Sequence, residues 1–195
     1  MNKKKTKSLV LLSLFIAIEV VMVSIPFLGF IPIGPLRATT LHIPVIIAGL
    51  TLGKEKGSFV GLVFGIMSLI MNTISPTITS FVFSPFISGN LLSIVVALVP
   101  RILIGYVSGL ISELGKHNQV SMIIGSFLGS MTNTILVLSM IYLFFGHDYA
   151  SAIGQSINGL LPYLFGIIST NGIVEAIVGT IIAFITSKAI LKIYK

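Results

Sequence analysis

One stretch, Leu91–Leu114 (LLSIVVALVPRILIGYVSGLISEL), constrains this chain more than any other. It is apolar at both ends and carries Arg101 near its middle, directly after Pro100. A helix rises about 1.5 Å per residue, so roughly 20 apolar residues cross the hydrocarbon of a bilayer, and this run is long enough. A charged side chain at that depth costs at least about 2.5–3.5 kcal/mol, so Arg101 must face the protein interior and hold a partner or an anionic ligand. Proline contributes no N–H to the helical ladder, which leaves a backbone carbonyl free one turn earlier, near Val96. The other segments then read as a wall built around the arginine.

Composition agrees with a membrane setting. Of 195 residues, 55% are hydrophobic and 9% charged, and the mean hydropathy is +1.10. Soluble domains carry about 25% charged residues, and no polar stretch here is long enough to build one. The expectation is a single transmembrane domain over residues 1–195. The absence of cysteine excludes structural disulfides, thiolate metal sites and cysteine nucleophiles. The net charge of +7 follows the membrane boundaries rather than a nucleic-acid surface. The first apolar segment follows Lys3, Lys4, Lys5 and Lys7, as a signal peptide would. It is too long for a signal core and no small-residue cleavage site closes it, so it is expected to stay as a first helix.

Six segments follow in order. Segment 1 spans about Ser8–Phe30 with Glu19 and Pro26, and a link rich in proline and glycine (29–37) ends at Arg37. Segment 2, about Ala38–Leu52, is short for a crossing and holds His42 and Pro44. A tight polar turn, 53–57, leads into segment 3, about Ser58–Ile74, with Asn72 near its end. A long link, 75–89, precedes the opening stretch as segment 4. A second polar turn, 115–119, leads into segment 5, about Val120–Phe145, with Asn133 inside. A third long link, 146–162, is polar and contains Asp148. Segment 6, about Tyr163–Ile190, carries Asn171 and Glu175.

With six crossings both termini share one side. Ten of the twelve Lys and Arg residues lie at the termini and in the two tight turns, against Arg37 alone on the other side. Positive charge marks the cytoplasmic face, so the fold expected is an all-α integral membrane protein, a compact bundle of six transmembrane helices with both termini cytoplasmic. All three long links then lie outside, where lids and binding surfaces belong.

Small residues at spacings of four (Gly57, Gly61, Gly65; Ser121, Gly125, Gly129; Gly105, Gly109) put close-packing faces on segments 3, 5 and 4. They indicate a tight bundle rather than a wide channel. Asn171 and Glu175 are four apart and share one inward face of segment 6, continued by Gly179. Two readings of Arg101 stand side by side. It can pair with Glu175 or Glu19 and fasten the bundle, or it can bind a ligand. Asn72 can equally serve as a helix-end hydrogen bonder. His42 stands alone near the outer end of segment 2, while His117 and His147 fall on opposite faces, which makes no metal cluster. No serine–histidine pair, H-E-x-x-H, P-loop or G-x-S-x-G elbow occurs, so no catalytic residue, metal or cofactor is expected and nothing here hydrolyses ATP.

Several short motifs in this order carry a resemblance: Thr39-Thr-Leu-His-Ile-Pro44, the glycines Gly53, Gly57, Gly61 and Gly65, Phe83-Ser-Pro-Phe86, and Val99-Pro-Arg-Ile-Leu-Ile-Gly105. With the size, the six segments and the basic termini, the chain resembles the substrate-binding (S) components of energy-coupling factor (ECF) vitamin transporters, and within them the pantothenate type. The resemblance implies a bacterial plasma-membrane protein that captures a vitamin at an outward-facing site. It implies docking on a membrane-embedded coupling protein driven by two cytoplasmic ATPases. Many members dock through two alanines four apart on the first helix, and the matching positions here are Ser13 and Ala17, with serine in place of one alanine.

Pantothenate is a small anion with two hydroxyls and an amide. Arg101 can fork onto its carboxylate, with Asn133, Asn171 and Asn72 on the hydroxyls and amide. Glu175 and His42 complete the candidate binding set, and Phe83, Phe86 and Tyr163 are candidates for an outer lid. Other vitamins of the same transporter class remain open (pyridoxine, a hydroxymethylpyrimidine thiamin precursor, riboflavin, folate). So do a solitary small carrier, although no internal repeat supports one, and a structural membrane subunit.

Overall fold

The computed structural model describes residues 3–25, 28–33 and 36–194. Pro26 of segment 1 and Lys195, one of the basic residues at the C-terminal end, lie outside the described residues, as do Gly34 and Pro35 of the first link. The helices are α1 (Lys3–Ser24), α2 (His42–Leu52), α3 (Lys54–Ile74), α4 (Pro85–Ser88), α5 (Leu92–Leu114), α6 (Gln119–Ala152), α7 (Ile157–Ile167) and α8 (Ile173–Tyr194). A 3-10 turn, Ser80–Val82, precedes α4, and a turn of π-helix, Ile168–Gly172, joins α7 to α8 into one continuous crossing. Among the described residues, five helical stretches are long and apolar enough to span a membrane, and α2 is a shorter apolar helix. The architecture is the all-α bundle that the hydropathy implies.

Charged and polar contacts gather at one end. Lys56 reaches Ser8 of α1, and the Lys54 backbone N–H donates to Glu113 Oε1 at 3.0 Å while its Nζ lies 3.5 Å from Oε2. His117 Nδ1 sits 3.1 Å from the Leu50 carbonyl oxygen. Thr6 and Lys7 share an apolar groove with Ile190 and Ile193, so the start of α1 and the end of α8 lie together at this end. A single residue, Gly53, turns α2 into α3; its φ of +92° is open to glycine and strained for other residues.

The three outer links differ from plain loops. The first folds into a two-stranded antiparallel hairpin, β1 (Phe30–Ile33) with β2 (Leu36–Thr39), in which Pro32 faces Arg37. The second is tied down by side chains, as described below. The third, read from sequence as a polar link over 146–162, is largely helical. Helix α6 bends at Phe145 (φ −133°, ψ 16°), runs on to Ala152, and α7 begins at Ile157 with Ser156 Oγ accepting from the Gly159 N–H at 3.1 Å. The apolar stripe Ile141, Phe145, Tyr149 continues through the bend and is buried, which outweighs His147 and Asp148.

Packing follows the small residues. A Cβ on Gly57 would lie 2.6 Å from the Gly49 Cα and 2.8 Å from the Gly105 carbonyl oxygen, and one on Gly65 would lie 2.9 Å from the Ala97 carbonyl oxygen. Helices α2, α3 and α5 therefore touch backbone to backbone. Helix α1 sits at the rim and buries only a stripe of spacing four, Phe15, Glu19 and Val23. Helix α2 is buried from His42 to Leu50. Its 11 residues span only about 16 Å, half of a roughly 30 Å hydrocarbon core. The core accordingly falls into two parts, one around α2 and one near the outer end around Val96, Val137, Ile141 and Tyr149.

Candidate functional site

Between these two apolar layers lies a polar one. Residues come to it from four helices at matching depth: Ser68 and Asn72 from α3, Arg101 from α5, Asn133 and Thr134 from α6, and Glu175 from α8 with Asn171 and Gly172 from the π turn. They line a cavity of about 100 Å³, far more than the roughly 10–15 Å³ that one water needs. Thr39, Thr77, Thr79 and Phe83 close it from the outer links.

Arg101 is the most constrained side chain in it. Its residue is 5% exposed, and Nη1 donates to the Val96 carbonyl oxygen at 2.7 Å. That oxygen is the one left without a helical donor by Pro100. The guanidinium carbon lies 5.5 Å from the ring centre of Phe64 and 4.9 Å from that of Phe83, cation–π distances that stabilise a charge out of water. Nε is buried without a partner. Neither Glu175 nor Glu19 forms an ion pair with it; the ion pair found among the described residues is Lys54–Glu113. Across the cavity, Asn133 Oδ1 is also buried and unpartnered. An orphan donor and an orphan acceptor thus belong to two residues that line one cavity, and such groups are costly while unpaired.

Asn72 behaves differently. Its Nδ2 donates to the Ser68 carbonyl oxygen at 2.8 Å and its Oδ1 accepts from Ser80 Oγ at 2.8 Å. The same Ser80 oxygen accepts from the Thr77 N–H at 2.8 Å. Asn72 therefore anchors the second outer link, as the helix-end reading allowed. Thr73 Oγ1 with Ser84 Oγ at 2.7 Å, and Ser93 Oγ donating to the Phe81 carbonyl oxygen at 2.8 Å, fix the rest of that link. Phe83 is so held over Arg101.

The remaining expected residues lie elsewhere. His42 is buried beneath Thr39 on the chain, outside the cavity lining, with its Nε2 2.9 Å from where a Cβ on Gly179 would stand. Phe86 is 79% exposed on α4, and Tyr163 packs against the outer apolar layer. Ser13 and Ala17 are exposed on α1, on the side away from the bundle. Among the described residues, no three His, Asp or Glu side chains gather as a metal site would need.

Sequence reasoning missed Thr39, Ser68, Thr77, Thr79 and Thr134 as lining groups. Hydroxyl side chains are common in membrane helices, where they bond to the preceding turn, so their presence alone carries no site signal. The π turn was equally hidden, although such turns often mark functional positions. It shifts the register by one residue and leaves Asn171 and Glu175 both on the cavity.

Residues 7–190 match the family described as "ECF transporter, substrate-specific component". A pantothenic acid transporter, PanT, of Lactococcus lactis subsp. cremoris is 36% identical over 98% of this chain and 97% of its own length. A pantothenate transporter, PanT, of Leuconostoc mesenteroides subsp. mesenteroides is 33% identical over 93% of this chain and 91% of its own.

Proposed function

This chain belongs to the substrate-specific components of ECF transporters, multi-pass proteins of the bacterial cell membrane, and on that premise we propose that it captures pantothenate for import. One observation supports this reading above the others: a buried arginine with no carboxylate partner lines a polar cavity together with an unpartnered asparagine oxygen. The vitamin's carboxylate takes the unpartnered edge of the Arg101 guanidinium. Asn133, Asn171 and Glu175 take its hydroxyls and amide, and Phe83 covers the carboxylate end. Asn72 acts through Ser80 by holding the link that carries Phe83.

Uptake against a gradient needs energy, and the sequence carries no P-loop motif for ATP hydrolysis. The chain docks through α1, with Ser13 and Ala17 as the close-packing pair, on a membrane coupling protein served by two cytoplasmic ATPases. The test of the binding reading is calorimetric titration of the purified protein in detergent with pantothenate, pyridoxine, riboflavin and folate. Tight one-to-one binding of pantothenate alone is expected. Binding of a flat vitamin instead moves the site toward the outer phenylalanines, and binding of none returns Arg101 to a structural role.

A further inference from the structure

Pro100 stands one residue before Arg101 in the middle of a membrane helix, where proline interrupts the ladder and ordinarily weakens it. The carbonyl it leaves behind belongs to Val96, which is completely buried. In hydrocarbon such an oxygen must be satisfied from within the protein. Arg101 Nη1 does so at 2.7 Å. Helix α5 starts at the outer end, and side chains tilt toward a helix N-terminus, so this bond draws the guanidinium outward toward Phe83. With Nη1 committed to Val96, the two parallel N–H bonds of the Nε–Nη2 edge are left for a ligand, and Nε is unpartnered.

We propose that Pro100 is a positioning residue for substrate: by freeing the Val96 carbonyl it fixes the Arg101 guanidinium with its Nε–Nη2 edge free of protein acceptors, and so sets the preference for a carboxylate over a neutral group. The pantothenate assignment of this inference rests on the function proposed above, whereas the link between Pro100, Val96 and Arg101 stands without it. An alanine at position 100 supplies the missing N–H, which takes the Val96 oxygen back into the ladder. The guanidinium then loses its anchor, and part of the ligand's binding energy goes into ordering it.

Two measurements test this. In the first, Pro100→Ala protein is titrated with pantothenate and with the alcohol in which CH2OH replaces its carboxylate. Pantothenate binding is expected to weaken about tenfold, or about 1.4 kcal/mol, with the alcohol's affinity unchanged. An equal loss for both ligands, or no loss for pantothenate, overturns the proposal. The second needs no ligand: thermal unfolding of wild type, Pro100→Ala, Arg101→Met and the double variant. Removing the guanidinium orphans the Val96 oxygen only where proline is present, so Arg101→Met should lower the Tm more in the wild-type background than in Pro100→Ala. Any general effect of deleting a buried charge is common to both backgrounds and cancels. Equal Tm changes overturn the link. If wild type ignores pantothenate, the functional assignment fails, and the unfolding cycle still decides whether Pro100 positions Arg101.

Discussion

Replacing Gly61 by alanine tests both the packing and its coupling to the site. A Cβ at this position would run into the Arg101 carbonyl oxygen, and would lie 2.8 Å from its carbonyl carbon and 3.1 Å from the Ile102 Cα. These are backbone atoms, which cannot swing aside as a side chain would. Helices α3 and α5 cannot pivot apart locally either, because Gly57 against Gly105 and Gly65 against Ala97 clamp them one turn away on each side. Overpacking of this kind costs about 1–3 kcal/mol, and the better helix propensity of alanine returns at most about 1 kcal/mol. With the full propensity gain the net loss is up to about 2 kcal/mol, or up to roughly 8 °C in Tm for a chain of this size. The comparison variant is Gly166→Ala in α7, where a Cβ would meet nothing within 4 Å, so only the propensity gain remains. Thermal unfolding in detergent, followed by the helical circular dichroism signal, should show opposite signs for the two. Pantothenate affinity should also fall in Gly61→Ala, since the displaced carbonyl belongs to Arg101, the residue proposed to hold the carboxylate. A Gly61→Ala protein as stable as wild type, beside a Gly166→Ala protein that is weakened, would refute the close approach of α3 and α5.

Arg101→Lys keeps the charge but not the planar fork, and should weaken pantothenate binding by about ten- to a hundredfold in calorimetry, as expected for losing one hydrogen bond of about 1.5–3 kcal/mol to a charged group; unchanged affinity would show that charge alone suffices. Ser80→Ala removes the group that joins Asn72 to Thr77, so the link bearing Phe83 loosens and stopped-flow should record faster vitamin release; an unaltered release rate would separate that link from the site. Ser13→Leu, on the exposed side of α1, should leave vitamin binding intact and abolish uptake in cells carrying the coupling module, with normal uptake arguing for docking elsewhere. Glu19→Leu replaces a buried carboxyl whose two oxygens have no partner and should raise stability by about 1–3 kcal/mol; a lower Tm would reveal a partner for that carboxyl.

Much of the architecture was legible in the residues because membranes impose a simple rule. Each crossing must satisfy its own backbone, so apolar length reports helices, and lysine placement reports sidedness. Segments 3 and 4 coincide closely with α3 and α5, and the glycines at spacing four sit where the backbones meet. Even the free carbonyl near Val96 follows from Pro100 alone. The helical character of 146–162 was not legible, because His147 and Asp148 look like loop residues until Tyr149 is seen to be buried.

Segment length against bilayer thickness and the energy of a buried charge are local quantities, so the residues alone specify a membrane bundle of six apolar segments with one costly arginine inside. Which groups meet that arginine was decided by the tertiary structure alone. Glu175, Glu19, Asn133 and Asn72 were all available on helices whose mutual depth and rotation no local pattern encodes. Packing left Glu19 without a partner in the rim of α1, bound Asn72 into the outer link, and set Asn133 and Glu175 on the cavity without an ion pair to Arg101. The short α2 covers about half of the hydrocarbon thickness, and the cavity that holds Arg101 is lined instead by α3, α5, α6, α8 and the outer links, a meeting of distant segments that only packing decides.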